Sequence, residues 1–225
     1  MIHVYGLGWR MPEYIKKSTE SILKNASEPI NFTIIDNLSH KSTEIIDWAK
    51  NMKAEGKINN IVSLKENILG LGYIVGYEAL PPDDSEDFFV FTDLDLIVPD
   101  GLDWIAETRK AREDKKIIIT GFGLGLSNYT DTPNYGHNPD PDGHAMGMWL
   151  MGINRKIFDA HYSSPWFTDG TLTNTLKKHG TNFRIRKDLY HLGWDLWRDD
   201  IEYWEMKKKG VNWNITKKCE YEEIQ

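Results

Sequence analysis

The chain has 225 residues and a mass of 26.1 kDa, with 40% hydrophobic and 27% charged residues. That is the balance of one folded domain and excludes a disordered, collagen-like or coiled-coil chain. The net charge of −7 argues against non-specific nucleic-acid binding, which needs clustered Lys and Arg.

The predicted elements alternate from the start. IHVY at 2–5 is a short apolar run, and Pro12 suits a first helical turn, followed by an inward stripe of Tyr14, Ile15, Ser18 and Ile22. FTIID at 32–36 reads as a buried strand. A helix capped by Ser42 or Thr43 follows, with Ile45, Ile46, Ala49 and Met52 inward and Gly56 as its stop. NIVSL at 60–64 is a third strand, 71–80 a third helix and FFVFT at 88–92 a fourth strand. A helix over 102–113 and the strand IIITG at 117–121 continue the pattern. Such alternation predicts an α/β fold with a largely parallel sheet and helices on both faces. Beyond it, 122–146 is rich in Gly, Pro, Asn and Asp and reads as a long loop, of the kind that is more often functional than accidental. MWLMGI at 148–153 reads as a strand, 168–180 as a polar-capped helix stopped by Gly180, and 183–194 as a strand running into a turn.

Cys219 is the only cysteine, so neither an intrachain disulfide nor a cysteine zinc cluster can form. No run of about 18 apolar residues spans a membrane, and MIHVYGLGWR lacks a basic-then-apolar leader. The expected location is cytoplasmic. Nine Trp are many for an α/β domain; core packing explains most, and carbohydrate stacking is the alternative.

The central candidate is Asp93-Leu94-Asp95, directly after FFVFT. Ligands in open α/β sheets bind outside the carboxyl ends of strands. Period-two alternation sends both carboxylates to one side, where they can hold a hard divalent cation, Mn²⁺ or Mg²⁺, and with it a diphosphate. The plainer reading is a pair of turn aspartates. Asp36, at the end of another strand, suits a nucleoside or, more plainly, a helix cap. Asn67, Gly70 and Gly72 precede the third helix, where glycines let a backbone approach a ligand or merely form a loop. Asp169 opens a helix as an N-cap or a base.

This ordered set resembles the A-type-fold (GT-A) nucleotide-sugar glycosyltransferases, the family-2-like inverting enzymes in particular. The set runs from Asp36-Asn37 through Asn67 and its glycines to Asp93-Leu94-Asp95. It continues with Gly147 to Gly152, Asp169 in TDGTLTNTLKKHG, and His191. The resemblance covers residues 1–195, and Thr168 stands where the family carries the first acid of a pair. It implies a single domain with a Rossmann-like, mostly parallel sheet. Residues 1–100 would form the nucleotide-binding half and 101–195 the acceptor and catalytic half. It further implies that Asp36, Asn67, Gly72 and Asp93 bind the donor and that Asp93, Asp95 and His191 hold the metal. Asp169 would be the catalytic base. A structural role is the alternative for His191, and solvation or acceptor contact for His137 and His144 in the long loop. Residues 196–225 are expected as a helical extension packed on the domain, and Trp194, Trp197, Ile201 and Trp204 fall at the spacing of one helical face that would make that contact. Peripheral membrane contact through that face is the less favoured alternative.

The function expected is therefore metal-dependent transfer of a sugar from a nucleoside diphosphate to an acceptor hydroxyl, with inversion. UDP is favoured and GDP remains open. A retaining enzyme of the same fold is the nearest alternative, and a non-catalytic carbohydrate-binding module is the alternative of another class. A nucleotidyltransferase would want a basic Gly-rich phosphate loop near the first strand, which GLGWRMP does not provide.

Overall fold

The computed structural model describes residues 1–9, 11–39, 42–83, 85–126, 147–162, 167–192 and 220–225, without the side chains of 124–126. The first half alternates as expected: β1 (Ile2–Gly8), α1 (Pro12–Lys24), β2 (Ile30–Asp36), α2 (Ser42–Ala54), β3 (Asn60–Leu64), α3 (Leu71–Ala79) and β4 (Phe88–Asp93). There follow β5 (Leu96–Ile97), α4 (Trp104–Ala111), β6 (Ile117–Leu126), β7 (Met151–Asn154), α5 (Arg155–His161), α6 (Asp169–Leu176), β8 (Thr181–His191) and β9 (Tyr221–Glu223).

The described strands form one nine-stranded sheet in the order β5-β8-β6-β7-β4-β1-β2-β3-β9. β1, β2, β3 and β4 are parallel neighbours, and β6 and β8 pair in parallel with the same direction. β5, β7 and β9 run the opposite way. The sheet is thus mostly parallel. Its two parallel groups are joined by the antiparallel β7, which sits between β4 and β6.

Helices cover both faces. Ile15 and Ile22 of α1, Ile45 and Ala49 of α2, and Trp104 and Ile105 of α4 pack on one side. Tyr73 and Tyr77 of α3, Phe158 of α5, and Leu172 and Leu176 of α6 pack on the other. The central strands are apolar on both faces because each face is roofed. Val4, Tyr5, Ile34, Ile35, Phe89 and Val90 are all fully buried. Trp104 is buried whole, and its ring N–H donates to the Ile22 carbonyl at 3.0 Å, tying α4 to α1. α1 opens on Pro12 and buries Tyr14, Ile15, Ser18 and Ile22, the stripe read from the sequence.

Some boundaries differ from expectation. Residues 122–126, read as the start of the long loop, continue β6. They do so because β8 pairs with them through bulged register shifts, a long-range partner that local composition does not register. Residues 127–146, with His137 and His144, lie outside the described residues, as does the helix expected over Trp194 to Trp204. Tyr221–Glu223 add an antiparallel strand to the β3 edge. Among the described residues no helix is long and apolar enough to cross a membrane.

Candidate active site

The parallel strands end together, and the residues singled out above gather along that carboxyl edge. The backbone of Asp93-Leu94-Asp95 is held from three sides. Asp93 N–H donates to the Met148 carbonyl at 2.7 Å, and Leu94 N–H to the Leu7 carbonyl at 2.9 Å. Leu192 N–H donates to the Asp95 carbonyl, also at 2.7 Å. Leu94 points inward over Gly6, where a Cβ would come within 2.7 Å of the leucine. A larger residue at position 6 would therefore push the acidic segment off the sheet.

After Asp95 the chain turns into β5, whose Leu96 pairs with His191 at the end of β8. That pairing brings His191 Nε2 to 3.3 Å from Asp95 Oδ2, with both side chains largely buried. The other oxygen, Asp95 Oδ1, is buried with no hydrogen-bond partner among the described residues. An orphaned, buried carboxylate oxygen is costly and calls for a cation or a proton.

Asp93 is half-buried and accepts a 2.7 Å hydrogen bond from the Tyr73 hydroxyl through Oδ1. Burial pushes its carboxyl well above the usual carboxylate range, and the charge of Asp95 adds to the push. The Tyr73 hydrogen bond works against this, and Asp169 contributes further upward. Burial, followed by the Asp93 charge, likewise raises the Tyr73 hydroxyl, so Tyr73 remains a donor. Asp93 therefore feels the charges of Asp95 and Asp169, and Tyr73 those of all three.

Asp169 is the first residue of α6, but the cap is Thr168. Its Oγ1 accepts from Thr171 N–H at 3.0 Å, and Thr168 N–H donates to Thr171 Oγ1 at 2.8 Å, a reciprocal capping box. Asp169 is exposed, and its carboxylate accepts only from Gly170 N–H, at 2.7 Å, among the hydrogen bonds described. The cap role weighed for Asp169 thus belongs to its neighbour, and the acid is left available.

The remaining candidates are placed differently. Asp36 is wholly buried; Ser42 Oγ donates to Oδ2 at 2.6 Å and Ser39 N–H to Oδ1 at 3.3 Å. It closes the turn into α2. Asn37 next to it bridges to the loop before α3, donating to the Leu69 carbonyl at 3.2 Å and accepting from Ile68 N–H at 3.0 Å. Asn67 Oδ1 accepts from Leu69 N–H at 3.0 Å within that loop. Gly72 faces the sheet: a Cβ there would come within 2.7 Å of Leu7 and 3.1 Å of Leu64. Its missing side chain lets α3 lie close on β1 and β3.

Tyr73 is not singled out by the sequence, where 71–80 reads only as a third helix. The available signal was chemical: a buried Tyr hydroxyl needs a partner, and strand-end acids are the nearest acceptors. A second signal is conformational. Among the described residues the non-glycine residues with left-handed backbone are Leu38, Leu69 and Leu150, at φ 51°, 54° and 51°. Leu38 follows β2, Leu69 precedes α3 and Leu150 precedes β7, all at the same carboxyl edge. Strain of this kind concentrates where a surface is shaped for a ligand.

Among the described residues no three His, Cys, Asp or Glu side chains form a ready cage for a metal. A divalent cation that travels with a diphosphate needs only one or two protein carboxylates, the rest coming from phosphate oxygens and water. The free Asp95 oxygen and the crowded Asp93 fit that kind of ion.

No protein-family model matches the chain, and no curated protein matches it in sequence. Solved structures do. A mannosyltransferase from Pyrobaculum calidifontis, PcManGT, in complex with GDP-Man and Mn²⁺, superposes on 88% of this chain with a TM-score of 0.65 at 11% identity. S. aureus TarS does so on 88% with 0.61 at 10%, and GalNAc-T7 with UDP, GalNAc and Mn²⁺ on 84% with 0.60 at 11%. The chain spans 59%, 38% and 43% of those longer chains, respectively. At such identities the likeness is one of fold.

Proposed function

The fold is that of the A-type nucleotide-sugar glycosyltransferases, and from that premise we propose that this protein is a metal-dependent glycosyltransferase. Its donor would be a nucleoside diphosphate sugar, UDP-linked first and GDP-linked second, and its acceptor a hydroxyl. The observation that carries the reading is Asp95, whose buried Oδ1 lacks a partner beside two further carboxylates at the carboxyl edge of the sheet.

Asp93 and Asp95 would hold Mn²⁺ or Mg²⁺, with His191 beside Asp95 as third ligand. When bound, the cation neutralises the diphosphate as it departs. Asp36 and Asn37 serve the donor through the turn and loop they fix, since the Asp36 carboxylate is enclosed. The loop of Asn67 and Gly70 abuts Phe167, two residues before Asp169. Asp169 takes the proton of the acceptor hydroxyl as its oxygen bonds the anomeric carbon. The bond from that carbon to the diphosphate breaks, its electron pair leaving with the phosphate. Attack opposite the leaving group inverts the configuration.

The test is nucleoside diphosphate release from a panel of UDP- and GDP-sugars with Mn²⁺, alongside thermal denaturation. Donor at about 100 times its Kd should stabilise the protein by about 2.7 kcal/mol. Asp95→Asn should abolish the Mn²⁺-dependent part of donor binding while the fold persists. Donor binding equal in wild type and variant, with or without chelator, would refute the cation site. Binding without any release of nucleoside diphosphate would refute the transferase.

A further inference from the structure

Tyr73 is 1% exposed, and its hydroxyl is spent on one oxygen of one site carboxylate. Its neighbour on α3, Tyr77, donates instead to Asp159 of α5, away from the edge. Tyr5 donates to a main-chain carbonyl, that of Leu80. Among these three buried tyrosines, Tyr73 alone is aimed at Asp93.

The ring behind that hydroxyl has little freedom. It packs on Phe91 of β4 at 4.8 Å between centroids and on Phe167 at 5.7 Å. Phe91 is two residues before Asp93, and Phe167 is two before Asp169. The height of Tyr73 above the sheet is set by glycines on the same helix. A Cβ at Gly72 would strike Leu7 and Leu64, and one at Gly76 would strike Ile35. α3 therefore sits low on the sheet, and the hydroxyl reaches the strand end at 2.7 Å.

We infer that Tyr73 is the positioning residue of the cation site: its hydroxyl fixes the Asp93 carboxyl through Oδ1 and leaves Oδ2 to the ion. The inference rests on the reading of Asp93 and Asp95 as the cation-binding pair. A carboxylate oriented by a hydrogen bond loses less freedom on binding an ion, and such outer partners are typically worth about 10–100-fold in metal affinity.

The experiment is a Mn²⁺ titration of the full chain in the presence of UDP or GDP, read by the paramagnetic resonance of free Mn²⁺. Tyr73→Phe keeps the ring against Phe91 and Phe167 and removes only the donor. It should weaken Mn²⁺ binding by about tenfold, with a melting temperature close to that of wild type. Tyr77→Phe, which removes a hydroxyl from the same helix, should bind Mn²⁺ as wild type does. Unchanged affinity in Tyr73→Phe, or an equal loss in Tyr77→Phe, would overturn the inference while wild-type binding stands. Absence of Mn²⁺ binding by wild type would instead overturn the cation reading beneath it, and the inference with it.

Discussion

Replacing Asp169 by Asn separates the proposed base from the cap, because the cap is the adjacent Thr168. The α6 cap is Thr168, bonded reciprocally to Thr171. Asn at 169 can still accept from Gly170 N–H, as the Asp does at 2.7 Å. What the helix loses is one first-turn negative charge, about 0.3–1 kcal/mol at an exposed site. Thr168→Ala, by contrast, removes a true cap and should cost about 0.5–2 kcal/mol. The barrier should respond in the opposite proportion. An amide cannot take the acceptor's proton, and loss of a general base costs about 10²–10⁴ in turnover. At about 1.36 kcal/mol per decade that is about 3–5 kcal/mol of transition-state stabilisation. Three measurements are needed: donor affinity by calorimetry, turnover by nucleoside diphosphate release, and stability by urea denaturation. The expected pattern is unchanged affinity, nearly unchanged stability and collapsed turnover, with a wild-type product of inverted anomeric configuration by NMR. Near-normal turnover would remove Asp169 from the mechanism. A stability loss as large as that of Thr168→Ala would show that the cap had been misassigned. Retained configuration would place the chemistry in the retaining class.

Two further predictions concern charge. The Asp93 carboxyl is raised by burial and by Asp95, so folding of the metal-free protein favours its protonated form. Its contribution is full below the unfolded carboxylate pKa and is lost as pH rises through the folded value. Metal-free Asp93→Asn should therefore lose that decline and be the more stable form above it, while Mn²⁺ binding disappears; urea denaturation in chelator across pH checks the first and a Mn²⁺ titration the second. His3 behaves oppositely: burial lowers it from 6.5 to about 4, against the pull of Asp83. Stability should fall as pH drops from 6.5 to about 4, by about 3 kcal/mol at 1.36 kcal/mol per pH unit. His3→Gln should flatten that part of the curve, and an unchanged slope would refute the assignment.

Much of the fold was legible because its first half is locally consistent. NIVSL is β3 to the residue, and Pro12 opens α1. FFVFT ends in acid because the strand is roofed on both faces until it reaches the edge. What stayed illegible rests on distant partners. β5 has two residues, too few to carry a period, and exists through its pairing with Tyr190 and His191. β7 is inserted antiparallel between β4 and β6, a placement no local pattern encodes. At the site, the pair Asp93 and Asp95 could be read from an apolar run closed by acids. The closeness of His191 came from resemblance, and the two-residue β5 supplies it physically. Thr168 as cap and Tyr73 as the partner of Asp93 were missed: the first depends on which of two adjacent residues starts the helix, the second on a contact between side chains twenty residues apart.

The same contacts explain how the edge can hold so much like charge without losing its shape. Main-chain bonds from Met148, Leu7 and Leu192 fix the acidic segment, and none of them depends on the protonation of a carboxylate. Charge can therefore change at Asp93 while the backbone beneath stays where the strands set it. The strain falls on the side chains instead, as a raised carboxyl on Asp93 and an unpartnered oxygen on Asp95. On the proposed reading both would be relieved by the same event, arrival of a divalent cation with its diphosphate. A site that is costly when empty and satisfied when loaded gives selectivity for the loaded donor. On that reading Asp93→Asn should stabilise the metal-free fold where the wild-type carboxyl is ionised, and abolish Mn²⁺ binding together.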